Sequence, residues 1–287
     1  MDGLEGKVAV ITGAGSGLGR AMAHRFGQAG MRLVLADVDE SRLNQIGGQL
    51  DERGVQVQTL ATDVSKLSQV EGLADLAYER FGAVNVLCNN AGVAAVGPAW
   101  ECTNADWEWA IGVNLWGVVH GLRAFLPRML ESGEPGHVVN TGSVAGILSP
   151  PLSSPYVATK HAVVGMTESL YHDLNLRQAN ISCSVLAPGF VRTRIAASEQ
   201  ARPDELKNPV PSDDPLSNDV GEFYAKAVAG GISPRLVADA VHDAILEKRF
   251  YIFTHPEMTP AFEDRFARLV AGKNPKTRPL ATSMNDD

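Results

Sequence analysis

The chain has 287 residues, 45% of them apolar, which suits one large α/β domain with a substantial core and does not require two. Its formal net charge of −8 excludes nucleic acid as the main partner, because a phosphate backbone needs a basic face. No stretch resembles a secretory leader or is apolar for long enough to cross a bilayer. Cys88, Cys102 and Cys183 are too scattered for a metal site, so a reducing, cytoplasmic setting without a bound metal is expected.

Val8-Ala9-Val10-Ile11 opens the regular structure as a β-branched run, the pattern of a strand buried on both faces. Leu18, Met22 and Phe26 follow four apart and predict a helix over 17–29, stopped by Gly30. Leu33-Val34-Leu35-Ala36 is the second strand and ends at Asp37. The pattern then repeats: helices are expected over 41–53, 67–81, 106–130 and 156–176, and strands over 55–60, 84–88, 137–141 and 181–187. Such alternation predicts a doubly wound parallel sheet of about seven strands with helices on both faces.

Composition shifts once, over 197–219, where Pro, Asp, Asn and Ser accumulate, and this predicts a long surface loop. Ser233-Pro234 then reads as an N-cap and first-turn proline, followed by a strand at Phe250-Tyr251-Ile252-Phe253 and a helix over 261–271. The expected organisation is one domain over 1–287, with 194–232 a substrate loop or lid and 233–287 a helix–strand–helix extension.

Between the first strand and helix lies Thr12-Gly13-Ala14-Gly15-Ser16-Gly17-Leu18-Gly19. Glycines admit positive φ and close backbone approach, and a helix N-terminus attracts a pyrophosphate. The spacing is G-x-x-x-G-x-G, from Gly13, Gly17 and Gly19. Asp37 can accept hydrogen bonds from the adenosine ribose hydroxyls and would repel a 2′-phosphate. Ser16 and Val38 supply no positive charge, so NAD is favoured over NADP.

Tyr156 and Lys160 stand four apart, on one face of the expected helix. A free phenol, with a pKa of about 10, is a poor base at neutral pH, and a neighbouring ammonium lowers that value. Alone, the pair reads better as an ordinary amphipathic helix face carrying an unrelated Tyr and Lys. It is accompanied by Ser143 after the fifth strand, Asn114 in the long helix, Asn89-Asn90-Ala91-Gly92 after the fourth strand, and Pro188-Gly189 with Thr193 after the sixth. In order and placement these motifs resemble the short-chain dehydrogenase/reductase superfamily, strongly over residues 5–195.

The resemblance implies a Rossmann-type oxidoreductase acting between a nicotinamide and a secondary alcohol or its ketone. It implies that Tyr156 is the general acid/base, that Lys160 tunes it and binds the nicotinamide ribose, and that Ser143 holds the substrate oxygen. Asn114 would anchor a water in a proton relay through Lys160. By the same resemblance Ser16, Gly17 and Leu18 meet the pyrophosphate, Asp37 and Val38 the adenosine ribose, and Asp63 and Val64 the adenine. Asn90, Ala91 and Gly92 wall the cofactor, and Pro188, Gly189, Val191 and Thr193 meet its nicotinamide end. A homodimer or homotetramer is implied too.

The substrate is expected at the carboxyl ends of the strands, against Val93, Val96, Ala145, Leu148, Leu152 and Phe190. These are apolar, which points to a bulky, uncharged alcohol or ketone. Phe253-Thr254-His255-Pro256 could approach the site from the late strand, with His255 itself expected to be an ordinary loop histidine rather than a catalytic one. Two other readings stay open. An NADPH-dependent biosynthetic ketoreductase needs a basic group beside Asp37, for which Arg42 is the nearest candidate. A regulator that senses NAD without turnover would be expected to lack Tyr156, Lys160 or Ser143.

Overall fold

Strands dominated by apolar side chains need cover on both faces, and the parallel sheet of the computed structural model, which describes residues 3–208 and 215–277, provides it. The strands are β1 (Val8–Thr12), β2 (Arg32–Asp37), β3 (Val57–Ala61), β4 (Val86–Asn89), β5 (Gly136–Thr141), β6 (Ile181–Ala187) and β7 (Tyr251–Phe253). They lie in the order β3-β2-β1-β4-β5-β6-β7, and each neighbouring pair is parallel.

Helices α1 (Gly17–Gln28), α2 (Glu40–Asp51), α3 (Leu67–Phe81), α4 (Asn104–Ile111), α5 (Gly117–Ser132), α6 (Ser154–Leu176), α7 (Pro215–Gly230), α8 (Pro234–Glu247) and α9 (Thr259–Val270) complete the described elements. Alternation along β1 divides the core. Ala9 and Ile11 pack with Met22, Phe26, Leu43 and Ile245 from α1, α2 and α8. Val8 and Val10 face the other way, towards Leu73, Phe125, Met129 and Leu170 from α3, α5 and α6. Full burial of each such side chain contributes about 1.5–3 kcal/mol.

The sheet order reverses between β1 and β4. β1 pairs with β2 on one side and with β4 on the other, and the connections leave towards opposite faces. A crevice opens at the carboxyl ends of strands in this arrangement.

Three elements differ from expectation. The helix expected over 106–130 is interrupted by a π turn, Gly112–Trp116, which separates α4 from α5 and contains Asn114. β3 begins at Val57 because the Val55 N–H is drawn back to the Leu50 carbonyl, 3.1 Å away, at the end of α2. The surface loop expected over 197–219 contains 3-10 turns at Ile195–Ala201 and Asp204–Leu206, and α7 starts inside it at Pro215. The part of the expected lid at 209–214 lies outside the described residues. Ser233 caps α8 as expected, its hydroxyl accepting from the Arg235 N–H.

Candidate active site

The loop from β1 to α1 takes its shape from glycines at two positions. Gly13 and Gly17 have φ of +66° and +52°. A Cβ at Gly13 would stand 2.8 Å from the Ala91 Cα, and one at Gly17 would stand 3.0 Å from the Thr193 Cβ. Larger residues are therefore excluded twice, by conformation and by space. Ser16 precedes α1 in extended conformation without capping it through its side chain, so the first amides of the helix remain open to an anion.

Thr12 ties this loop to β4. Its hydroxyl oxygen accepts from the N–H groups of Asn90 (2.9 Å) and Ala91 (3.1 Å), while the Asn90 side-chain amide donates to the Thr12 carbonyl (2.9 Å). Asp37 holds the loop from the other side: one carboxylate oxygen accepts from the Gly15 N–H at 2.8 Å, the other from the Asp39 N–H at 3.0 Å. Each oxygen keeps a lone pair for a further donor. Arg42 is engaged with Asp39 at 3.1 Å.

Ser16, Gly17, Leu18, Asp37 and Val38 line one cavity of about 1570 Å³. Asp63, Val64, Asn90, Ala91 and Gly92 line it further along, and Pro188, Gly189, Val191 and Thr193 approach from β6. Its volume exceeds the ~300–1,000 Å³ of a pocket for one small ligand. Ser143, Tyr156 and Lys160 open into the same space.

Lys160 is 3% exposed, and its Nζ donates to the Thr141 carbonyl at 2.8 Å. Burial lowers its pKa from 10.5 to about 8. Burial likewise raises the Tyr156 phenol above the usual tyrosine range, with Ser143 pulling the other way through a hydrogen bond. Burial outweighs the lowering expected from Lys160, whose ammonium is aimed at Thr141 and stands 5.6 Å from the phenol ring centre. The Ser143 hydroxyl accepts from the Ala145 N–H (3.1 Å) and donates to the Pro188 carbonyl (3.4 Å).

Asn114 is wholly buried. Its carbonyl oxygen accepts from the Val93 N–H (2.8 Å), and its amide donates to the Val93 carbonyl (2.9 Å) and the Thr159 hydroxyl (3.2 Å). Gly92 brings it near the ammonium, since a Cβ there would lie 3.3 Å from the Asn114 oxygen and 3.6 Å from the Lys160 Nζ. The π turn thus turns a polar side chain inward, a common device at functional sites.

Beyond Tyr156 the cavity is walled by Val93, Val96, Ala145, Leu148 and Phe190, as expected, and by residues the sequence reading missed. Phe223 and Tyr224 enter from α7, their rings 6.3 and 5.9 Å from that of Phe190. Arg202, 4% exposed, fastens the covering segment to α4 through Asp106 at 2.7 Å and lies 4.9 Å over the Trp109 ring. The aromatic pair 223–224 was the available signal, but its distance from the motifs hid its destination.

Three expected residues do not reach the cavity wall. Asn114 sits behind Gly92 and acts on main chain. Gly19 lies inside α1, where a Cβ would run into the Gly13 carbonyl and approach the Asn90 amide to 2.8 Å, so its smallness serves packing. Leu152 adopts φ +56° in a turn whose carbonyl accepts from the Gly97 N–H at 2.8 Å, which carries its side chain off the wall.

A family model described as short chain dehydrogenase matches residues 7–204. The chain belongs to that family. Among solved structures, a short chain dehydrogenase/reductase from Burkholderia phymatum in complex with NAD is 46% identical, with a TM-score of 0.95 over 97% of this chain and 99% of that one. Among curated proteins, a CLA biosynthesis dehydrogenase/reductase from Lactiplantibacillus plantarum is 35% identical, covering 96% of this chain and 97% of the relative. A 1-deoxy-11-beta-hydroxypentalenate dehydrogenase from Streptomyces exfoliatus is 36% identical, covering 92% and 88%.

This short-chain dehydrogenase is an oxidoreductase with a place for a nicotinamide cofactor: the glycine cradle, the open start of α1 and the carboxylate at the end of β2 fit a dinucleotide. Among its described residues no helix is long and apolar enough to cross a membrane.

Burying Lys160 has a thermodynamic consequence. Its folded pKa is near 8 and its ordinary value 10.5, so the unfolded chain binds more protons between those pH values. The penalty for burying the charge is present below pH 8 and is relieved as pH rises towards 10.5. Wild-type stability should therefore rise relative to Lys160→Met by roughly 2–4 kcal/mol over this window. Denaturant unfolding of both proteins at pH 7 and pH 10 checks this, and a constant difference contradicts it.

Proposed function

We propose that this short-chain dehydrogenase exchanges hydride between NAD(H) and a bulky, apolar secondary alcohol or its ketone, with Tyr156 as general acid/base. The observation that carries the reading is a single cavity that runs from the Asp37 carboxylate to Tyr156, Ser143 and Lys160 and continues between apolar side chains.

In the oxidative direction the substrate hydroxyl lies between Tyr156 and Ser143. The Tyr156 phenolate accepts its proton, and the Ser143 hydroxyl, rotating from its 3.4 Å bond to the Pro188 carbonyl, donates a hydrogen bond to the same oxygen as its charge changes. A nicotinamide, when bound, supplies the hydride acceptor. Lys160 stabilises the phenolate and meets the nicotinamide ribose, while Asn114 fixes the Val93 main chain beside it. Reduction reverses the proton path.

Two observations support NAD over NADP. Asp37 presents negative charge where a 2′-phosphate would sit, and Arg42, the one basic candidate beside it, is engaged with Asp39. The Burkholderia relative, 46% identical, was solved with NAD. The apolar wall formed by Val93, Leu148, Phe190 and Phe223 supports a hydrophobic substrate, and the curated relative named for a hydroxypentalenate is compatible with a hydroxylated one. A cytoplasmic location belongs to the same reading.

Thermal shift with NADH and NADPH at matched concentration tests the cofactor assignment. NADH at about 100 times its Kd should add about 2.7 kcal/mol, and NADPH much less. A larger NADPH shift would make the reductive biosynthetic reading the better one. With an alcohol turned over by the wild type, Tyr156→Phe should lose about 10²–10⁴-fold in kcat while keeping its NADH shift. Unchanged turnover would remove Tyr156 from the proton path.

We also propose a homodimer or homotetramer. Trp116, Tyr171 and Leu176 are exposed apolar residues on the π turn and α6, where an interface between copies would cover them. Light scattering should give two or four times the chain mass, and a monomer at micromolar concentration refutes the assembly.

A further inference from the structure

The turn after β7 delivers a buried histidine to the loop after β6. His255 is 7% exposed, and its ring lies directly against Gly189, where a Cβ would stand 2.9 Å from ring carbons. The Gly189 N–H donates to Nδ1 at 3.0 Å, and the Thr254 hydroxyl stands 2.9 Å from the same nitrogen. The Nε2 atom lies 3.0 Å from the Phe190 carbonyl oxygen. A backbone N–H can only donate and a carbonyl can only accept. The partners therefore define the tautomer: Nδ1 is bare and Nε2 carries the proton. One imidazole bridges two consecutive residues of the main chain.

That stretch of main chain borders the reaction site. The Pro188 carbonyl accepts from the Val144 N–H (3.0 Å) and from the Ser143 hydroxyl (3.4 Å). The Phe190 carbonyl also accepts from the Ile232 N–H at 3.0 Å, at the end of the segment that carries Tyr224. Pro188, Gly189 and Phe190 all line the cavity shared with Tyr156. The loop cannot shift without moving the partner of Ser143 or the wall beside the substrate.

We infer that His255 is a positioning residue for the reaction. Through Gly189 and Phe190 it sets the cavity wall after β6, and through Pro188 it sets the direction of the Ser143 hydroxyl. Each ring nitrogen meets the one backbone group that fits its protonation, and both of those groups belong to the loop that borders the cavity. The inference rests on the proposed reading of this cavity as the cofactor and substrate site, and NADH binding by the wild type separates the two. If the wild type binds NADPH instead, the same comparison is made with NADPH.

The test compares His255→Phe, which keeps the ring volume and loses both hydrogen bonds, with His255→Asn, which keeps an acceptor for the Gly189 N–H. Melting temperature reports folding, NADH fluorescence titration the cofactor affinity, and turnover of an alcohol accepted by the wild type the kcat. Two lost hydrogen bonds correspond to about 10–100-fold, so folded His255→Phe should bind NADH up to about that much more weakly, with lower kcat. His255→Asn should recover part of both. If His255→Phe folds and shows wild-type NADH affinity and kcat, His255 merely stabilises the fold and the inference fails. An Asn variant no better than Phe also overturns the bond to Gly189 as its basis. Should His255→Phe not fold, His255→Asn decides alone, with a three- to tenfold weakening expected from one lost bond.

Discussion

Between β1 and β4 two neighbouring parallel strands send their chains to opposite faces of the sheet, and Thr12 holds the opening between them. Its hydroxyl accepts two amides from the β4 end, and its carbonyl accepts the Asn90 side chain. Without this junction the glycine loop and the 90–92 segment would have no common position. The loop shape, the approach of Ala91 to Gly13 and the start of α1 all depend on it. A parallel sheet leaves such an opening wherever its strand order reverses, and here the opening is stitched by main chain and short polar side chains, which leave room for a ligand.

The chemistry is concentrated one strand further along, where an ammonium has been taken out of water. Burying a charge is unfavourable unless it finds partners, and Lys160 has one protein acceptor, the Thr141 carbonyl. Its pKa near 8 expresses the remaining imbalance. The same burial raises the Tyr156 phenol above the usual tyrosine range. The two groups are thus pushed towards their neutral forms, and anything that places a polar group between them shifts both. A site prepared in this way responds to what enters it more strongly than a solvated pair would.

The residues that enclose the far end come from late in the chain. Arg202 meets Asp106, Phe223 and Tyr224 meet Phe190, and His255 meets Gly189. These contacts converge on the loop after β6 or on α4. The C-terminal third therefore acts as a frame around the cavity that Ser143, Tyr156 and Lys160 line. Asp106 takes part in a capping box with Thr103 and also accepts from Asn208, so the helix start and the cover over the cavity share one carboxylate.

Local pattern alone determined much of this protein. Runs dominated by apolar side chains, such as Val8–Thr12 and Ile181–Ala187, read as buried strands because they present few polar groups to water on either face. The glycine spacing before α1, Asp37 at the end of β2, and Tyr156 and Lys160 four apart on α6 were likewise legible, since each rests on backbone conformation or helical period. Tertiary structure decided what depends on distant partners. It placed Asn114 on a π turn behind Gly92, made Gly19 a packing residue, and turned Leu152 away from the cavity. It directed Lys160 at Thr141, brought Tyr224 to the cavity and gave His255 its contact with Gly189. These choices could not be read along the chain because each is a contact between residues far apart in sequence, whose relative positions exist only once the sheet and its covering helices have packed.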